Sequence, residues 1–489
     1  MKTIDRRSFL KSSALAASAS LVARYASPAL AQPTGANGDI RVAVIGFNAQ
    51  GRGHIGQLLK IPGVRLVALC DVDPKILAER AEEVRKQRPG DLFLTTDLRQ
   101  LLARKDVDAV TIAAPNHWHA LATVWACQAG KDVYVEKPVA HTIWEGRKMI
   151  EAAAKYGRIV QAGTQFRSDA GLPAAIAHLR DGALGRIQYV HALWYKARGD
   201  IGKRLPWYPA DLDYDLFCGP APVVPLERGR LHYDWHWMWS TGNGDLANLG
   251  VHCVDIARRF GAHNATPGRI LSVGGRYVHD DAAETPNTQL TLFDFPEVPI
   301  FFETRGLPAK AGMRAMDNHR GIRTGVVVQC EGGYYAGYNG GATYDNDGKQ
   351  IQRFPGDGGG THMANFIAAV RSRKTADLNG PIAEGHASTA TCLFGNISFR
   401  TGRPAPFAQV REAFARLPAA QETLDRVKAH LEVHQVDLDR QPLTLGHWVT
   451  TDGGDGITAV EGADYTTLER ARFLLRETHR APYAIPEQV

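Results

Sequence analysis

The stretch "RVAVIGFNAQGRGH", residues 41–54, runs from a β-branched strand through a glycine-rich turn into a helical pattern. In such a unit the first glycine, here Gly46, permits a tight turn. The second lets backbone approach a pyrophosphate, and the third permits close helix–strand packing. Asn48 stands at the second place. Asparagine tolerates positive φ better than other non-glycine residues, but its side chain takes up space near the phosphates. Phe47, Gly51, Arg52 and Gly53 complete the turn as candidate dinucleotide contacts.

Working outward, the next strand "VRLVALCD" (64–71) ends in Asp71, twenty residues past Gly51. An acidic residue there is placed to hydrogen-bond the adenosine ribose hydroxyls and to repel a 2′-phosphate, which favours NAD over NADP. Asp71 could instead cap the helix that begins in "VDPKILAER", a role Asp73 fills equally well. Further strands are expected at 109–115, 131–136 and 158–165, alternating with helical segments whose apolar residues recur at three- and four-residue spacing. Alternation of this kind implies right-handed crossovers and a doubly wound parallel sheet of the Rossmann type over 39–165.

Beyond Phe166 the rhythm changes. Long strands are expected near 187–196, 269–278, 287–295, 299–306 and 325–338, with a turn at "DNDG" (345–348). They imply a second, α+β domain (166–404) with a large open, mostly antiparallel sheet, and helices in 361–400 packing back on the first domain. Residues 405–489 read as an extension with one amphipathic helix at 411–433.

Ligands of doubly wound sheets bind at the carboxyl ends of the strands. There the chain places "APNHWHA" (114–120) and "VYVEKPVAHT" (133–142). Pro115, Asn116, His119, Glu136, Lys137 and Gln165 are accordingly candidate cofactor contacts. His117 and His119 are spaced as metal ligands but lack a carboxylate cluster, so no metal is assigned. Lys137 is a solvated surface lysine on one reading; its position at the cleft favours a functional one. "HYDWHWMW" (232–239) concentrates aromatic and polar groups of the kind that stack on and hydrogen-bond sugars.

The chain has 489 residues, a formal charge of +6 without a basic run, and 44% hydrophobic residues. This is a globular composition with little support for nucleic-acid or membrane-surface binding. The N-terminus carries Arg6-Arg7, a short Ala/Ser/Leu run and Ala29-Leu30-Ala31. That order reads as a twin-arginine signal (1–31) followed by a linker (32–38), with no membrane attachment after cleavage and a periplasmic mature protein. The six cysteines lack metal-type spacing and lie mostly in apolar runs, so they are expected to be free.

The glycine turn at 46–53, "CD" at 70–71, "APNHWHA", "EKP" at 136–138 and "GDLANLGVHCVDIARR" at 244–259 together resemble the family of glucose–fructose oxidoreductase, inositol dehydrogenase and the rhizopine-catabolism protein (Gfo/Idh/MocA), over residues 40–400. The exported sugar-modifying branch is the nearest likeness, through "DWHW" and "GNGD". The resemblance implies a tightly bound NAD, a carbohydrate substrate, hydride transfer from a ring carbon, Lys137 polarising the reacting hydroxyl and His252 as acid/base. It further implies Arg167, Lys196, Trp235, His236, Asn248 and His252 as substrate contacts beside Lys137, and a homo-oligomer paired through the open sheet. One departure stands out: the family's aspartate four residues before the histidine is Asn248 here, which can orient a ring but lends it no charge. A redox-neutral, NAD-dependent glycosidase acting through a transient keto-sugar is the alternative, and a non-catalytic sugar-binding protein a third reading.

Overall fold

The computed structural model describes residues 38–489. The expected leader and all of the linker except Gly38 lie outside the described residues. The first domain is built from β1 (Ile40–Ile45), α1 (Gln50–Leu58), β2 (Val64–Cys70), α2 (Pro74–Gln87), β3 (Phe93–Thr95), α3 (Leu98–Leu102), β4 (Ala109–Ile112), α4 (Asn116–Gln128), β5 (Asp132–Val135), α5 (Ile143–Lys155) and β6 (Val160–Ala162). Its six strands are parallel, in the order β3-β2-β1-β4-β5-β6. Every residue of β4 and β5 is buried, as expected for strands covered on both faces. Local signals fix the helices: Asp73 caps α2 ahead of Pro74, and Thr142 with Glu145 forms a capping box on α5. The three-residue β3 was not among the expected strands, being too short to display a period.

The second domain adds α6 (Leu172–Arg180), β7 (Ile187–Tyr195), α7 (Tyr214–Cys218), α8 (Gly244–Asn248), α9 (Gly250–Phe260), β8 (Arg269–Gly275), β9 (Thr288–Asp294), β10 (Ile300–Arg305), β11 (Thr324–Cys330), β12 (Gly333–Tyr338), β13 (Gly340–Tyr344), β14 (Gln350–Pro355), α10 (His362–Ser372) and α11 (Ile382–Arg400). Its strands pair antiparallel except β10 with β7. The expected strand at 325–338 is a hairpin, turned at Glu331–Gly332, and 345–348 is a turn closed by Gly348 N–H to Asp345 O at 3.1 Å. α10 packs Met363, Phe366 and Ile367 into the core beneath β1, so this helix does return to the first domain.

Residues 405–489 do not form a separate appendage. They supply α12 (Phe407–Ala413), α13 (Pro418–Val433), β16 (Leu443–Leu445), β17 (Val449–Thr451), β18 (Ile457–Val460) and α14 (Tyr465–Leu474), after β15 (Arg403–Ala405). β16 and β17 pair with β8, extending the second sheet to twelve strands. The single helix expected at 411–433 is two, since Pro418 cannot continue a helix and starts the next one. One face of β8–β10 packs on α9 and α11 through Ile270, Phe293 and Phe302. The alternate residues Leu271, Leu292 and Phe301 pack on α12 and α13 through Val410, Phe414 and Leu424. The sheet face expected to stay open for pairing is thus covered over β8–β10 by the chain itself. All six cysteines are free and buried. No described helix is long and apolar enough to cross a membrane.

Candidate functional site

A cavity of about 350 Å³ lies at the carboxyl ends of β1, β2, β4 and β5, roofed by residues from the second domain. The glycine turn forms one end. Gly46 has φ +73°, and a Cβ there would stand 2.7 Å from Ala114 N; a Cβ on Gly51 would stand 1.9 Å from Gly46 O. These two positions require glycine, one for the turn and one for the approach of α1 to the strand. Between 46 and 53 only Gly46 takes positive φ, so Asn48 is not left-handed. Two expected contacts are corrected. A Cβ on Gly53 meets nothing within 4 Å, and Arg52 is exposed and turned to Glu83 at 3.2 Å. Both lie on the solvent side of α1, one residue off the face that packs.

Asp71 lines the cavity and accepts hydrogen bonds from Phe47 N–H at 3.0 Å and Asp73 N–H at 3.1 Å. It ties the glycine turn to the end of β2, while burial raises its pKa. Asp73 takes the helix cap, accepting from Lys75 N–H and Ile76 N–H. Pro115, Asn116 and His119 line the cavity beside it. His119 is wedged between Pro138 O and Ala114 O, each 2.7 Å from a ring nitrogen, and burial lowers its pKa against the pull of those carbonyls. His117 faces away, toward Phe217 O at 3.0 Å and Thr241 O at 3.3 Å. Among the described residues no group of three or more His, Cys, Asp or Glu is arranged to hold a metal ion.

At the centre stand Glu136 and Lys137. Glu136 is buried, accepts from His54 Nε2 at 3.0 Å, Gln165 Nε2 at 3.0 Å and Lys137 N–H at 3.2 Å, and has its pKa pulled to about 2 against burial, first by the bond from His54. Gln165 therefore sits behind Glu136 rather than on the cavity wall. His54, invisible in the sequence because a lone histidine on a helix carries no motif, is the group that secures this carboxylate. Lys137 Nζ donates to Asn248 O at 2.9 Å and to Asn248 Oδ1 at 3.3 Å. It has no carboxylate within ion-pair distance, and desolvation lowers its pKa.

Lys196, Trp235, His236 and Asn248 also line the cavity, as expected, together with His232, Tyr233 and Leu249. Trp235 and His236 stack with ring centroids 3.6 Å apart. His232 Nε2 reaches Asp73 at 2.9 Å, closing the roof on the first domain. One substrate contact is corrected. Arg167 points elsewhere, forked onto Asp255 and bonded to Glu384 at 3.0 Å. His252 does not line this cavity directly but lies close enough to feel the charges of Lys137 and Glu136; it stands edge-on to Phe166 with its Nδ1 unpartnered, and its pKa falls to about 3, first through burial and then through the charge of Lys137. The helix is interrupted at Leu249 between α8 and α9: His252 N–H bonds Leu249 O at 3.2 Å, and Asn248 O accepts from Lys137 instead. Asp245, on α8, is forked onto Arg198.

The glycine cradle, the ribose-side carboxylate and the elongated cavity fit a dinucleotide. The model of an oxidoreductase family, NAD-binding Rossmann fold, matches residues 40–164, and that of the family's C-terminal alpha/beta domain matches 193–294. Glycosyl hydrolase family 109 protein 2 of Shewanella sp. (strain ANA-3) is 36% identical over 269 residues, 48% of this chain and 58% of that protein. Levoglucosan dehydrogenase of Pseudarthrobacter phenanthrenivorans is 28% identical over 256 residues, 48% and 57% respectively. The chain thus spans under two thirds of the length of these relatives. The structure of the WlbA dehydrogenase from Bordetella pertussis, in complex with NADH and UDP-GlcNAcA, shares the fold at a TM-score of 0.52 with 20% identity, covering 72% of this chain and 94% of that one. With both of its characteristic domains present in order, the chain belongs to the Gfo/Idh/MocA oxidoreductase family.

Proposed function

We propose that the protein is an oxidoreductase that acts on a hydroxyl of a sugar or sugar derivative with NAD as a tightly held cofactor. The observation that carries this reading is a primary ammonium, Lys137, free of any carboxylate partner, in the same cavity as the glycine cradle and Asp71. NAD, when bound, supplies a hydride acceptor. Asp71 selects it over the 2′-phosphorylated form by charge.

Lys137 then holds the hydroxyl oxygen and carries its proton. Two oxygens of Asn248 fix its Nζ without adding charge, and desolvation moves its pKa in the direction a proton acceptor needs. His252, away from the wall and with a pKa near 3, is the weaker candidate for that proton. Trp235 and His236 offer flat faces for a ring, and Lys196 a further donor. The test is direct. Denaturing the purified protein should release NAD, and sugar-dependent reduction of that NAD should vanish in Lys137→Ala with the nucleotide retained. Release of no nucleotide from active protein would overturn the reading.

The relatives named as glycosyl hydrolases support a second reading, a redox-neutral glycosidase in which the same site removes and returns a hydride. Release of the aglycone from aryl glycosides without net NADH would select it. We also propose that the protein is exported folded to the periplasm, on the strength of Arg6-Arg7 and the short apolar run behind them. Replacing both arginines by lysine should leave it in the cytosol. A homo-oligomer is proposed on family resemblance, to be checked by light scattering.

A further inference from the structure

A second cavity, of about 530 Å³, shares no residue with the first. It lies at the carboxyl end of α9, the helix that carries His252, and is bounded by α6 and the start of α11. Four arginines line it: Arg167, Arg180, Arg258 and Arg259. The facing carboxylates are Asp181 and Glu384, with Asp255 behind them. Asp255 is taken up by the fork of Arg167 and by Ser388 Oγ at 2.6 Å. Glu384 accepts from Arg167 and stands 3.8 Å from Arg258. The one imidazole present, His263, is stacked on Phe295 and bonded to Val298 O.

Apart from that long contact of Arg258 with Glu384, the hydrogen bonds of the remaining guanidinium groups go to neutral oxygens. Arg258, 1% exposed, gives one nitrogen to Ser388 Oγ at 2.7 Å and another to His263 O at 3.1 Å, while its Nε has no partner. Arg259 bonds only Phe166 O, at 3.3 Å, and Arg180 bonds Arg259 O. A helix carboxyl end attracts cations, which accounts for an arginine on the surface there. It does not account for a buried guanidinium with an unused N–H beside a cavity, since such a donor is costly unless something accepts from it. Burial lowers the pKa of both Arg258 and Arg259, against the opposing pull of the nearby Asp255. Pro173, Ile176 and Ala177 make the other wall apolar.

We propose that this cavity is a binding site for an oxyanion, the phosphate or carboxylate group of a small metabolite, held in the fork geometry that arginine offers. The full chain, saturated with NAD so that the glycine cradle is filled, should be titrated calorimetrically with inorganic phosphate and, separately, with succinate at low ionic strength. Saturable binding is expected, and whichever binds more tightly names the group. In the double variant Arg180→Gln/Arg259→Gln, at partly exposed positions that folding tolerates, affinity should fall at least tenfold with NAD binding unchanged. Absence of saturable heat with either anion at tens of millimolar would overturn the proposal. So would undiminished affinity in the double variant.

Discussion

At the scale of single residues, the proposed chemistry turns on the pairing of Lys137 with Asn248. An aspartate at that position would pair with the ammonium and favour its charged form; the amide positions it without adding charge. Lys137→Ala should lower kcat by roughly 10²–10⁴-fold while nucleotide content stays constant, measured by steady-state kinetics and absorbance of the released cofactor. Asn248→Asp should raise the apparent pKa of the basic group in the pH–rate profile, since a carboxylate beside Lys137 favours its charged form; an unmoved profile would show that the lysine does not carry the proton. Buried imidazoles add a stability dependence. His117 titrates near 4 and His252 near 3, both through burial, against about 6.5 in the unfolded chain. Between those values the unfolded chain binds protons that the folded rings refuse, so stability falls as pH drops from 6.5 toward 4. Thermal melts across that range should show a declining Tm, and His117→Gln should flatten the decline. Lys137, Lys196 and the 235–236 pair were legible because strand ends and an aromatic cluster mark them. Arg167 was misread because its partner Asp255 lies 88 residues away and no local pattern announces an ion pair.

At the scale of elements, the glycine turn is the least forgiving part of the first domain. A methyl group on Gly51 has nowhere to go beside Gly46 O, so Gly51→Ala should lift α1 off the strand and weaken NAD binding more than tenfold, whereas Gly53→Ala should be neutral. Equilibrium titration with NAD compares the two directly. The parallel strands and their helices could be read from periodicity because each carries its own buried face. The break at Leu249 could not. "GDLANLGVHCVDIARR" has one continuous helical pattern, and only the packing of Gly250 against Phe302, where a Cβ would stand 2.5 Å from the ring, shows why the chain steps aside there. That step leaves both oxygens of Asn248 to accept from the lysine.

At the scale of the whole molecule, residues 405–489 account for most of what the sequence left unread. Their strands are three or four residues long, and β16 and β17 join the sheet through β8, more than a hundred residues upstream, so neither period nor proximity reveals that pairing. Phe414, fully buried beneath the second sheet, should cost about 3–5 kcal/mol on replacement by alanine, read from denaturant midpoints. The segment then crosses back to the first domain. Tyr483, Ile485 and Val489 pack with Trp118 and Leu121 of α4, and Lys148 Nζ bonds Glu487 O at 2.6 Å. One continuous piece of chain is therefore sewn into both lobes that hold the cleft. Spreading them like a jaw would first require peeling three apolar side chains from a core, at roughly 1.5–3 kcal/mol each. On the proposed reading, that seam resists the spreading by which a nucleotide lodged between the lobes would escape, and slow exchange of the bound cofactor for added labelled NAD is the expected result.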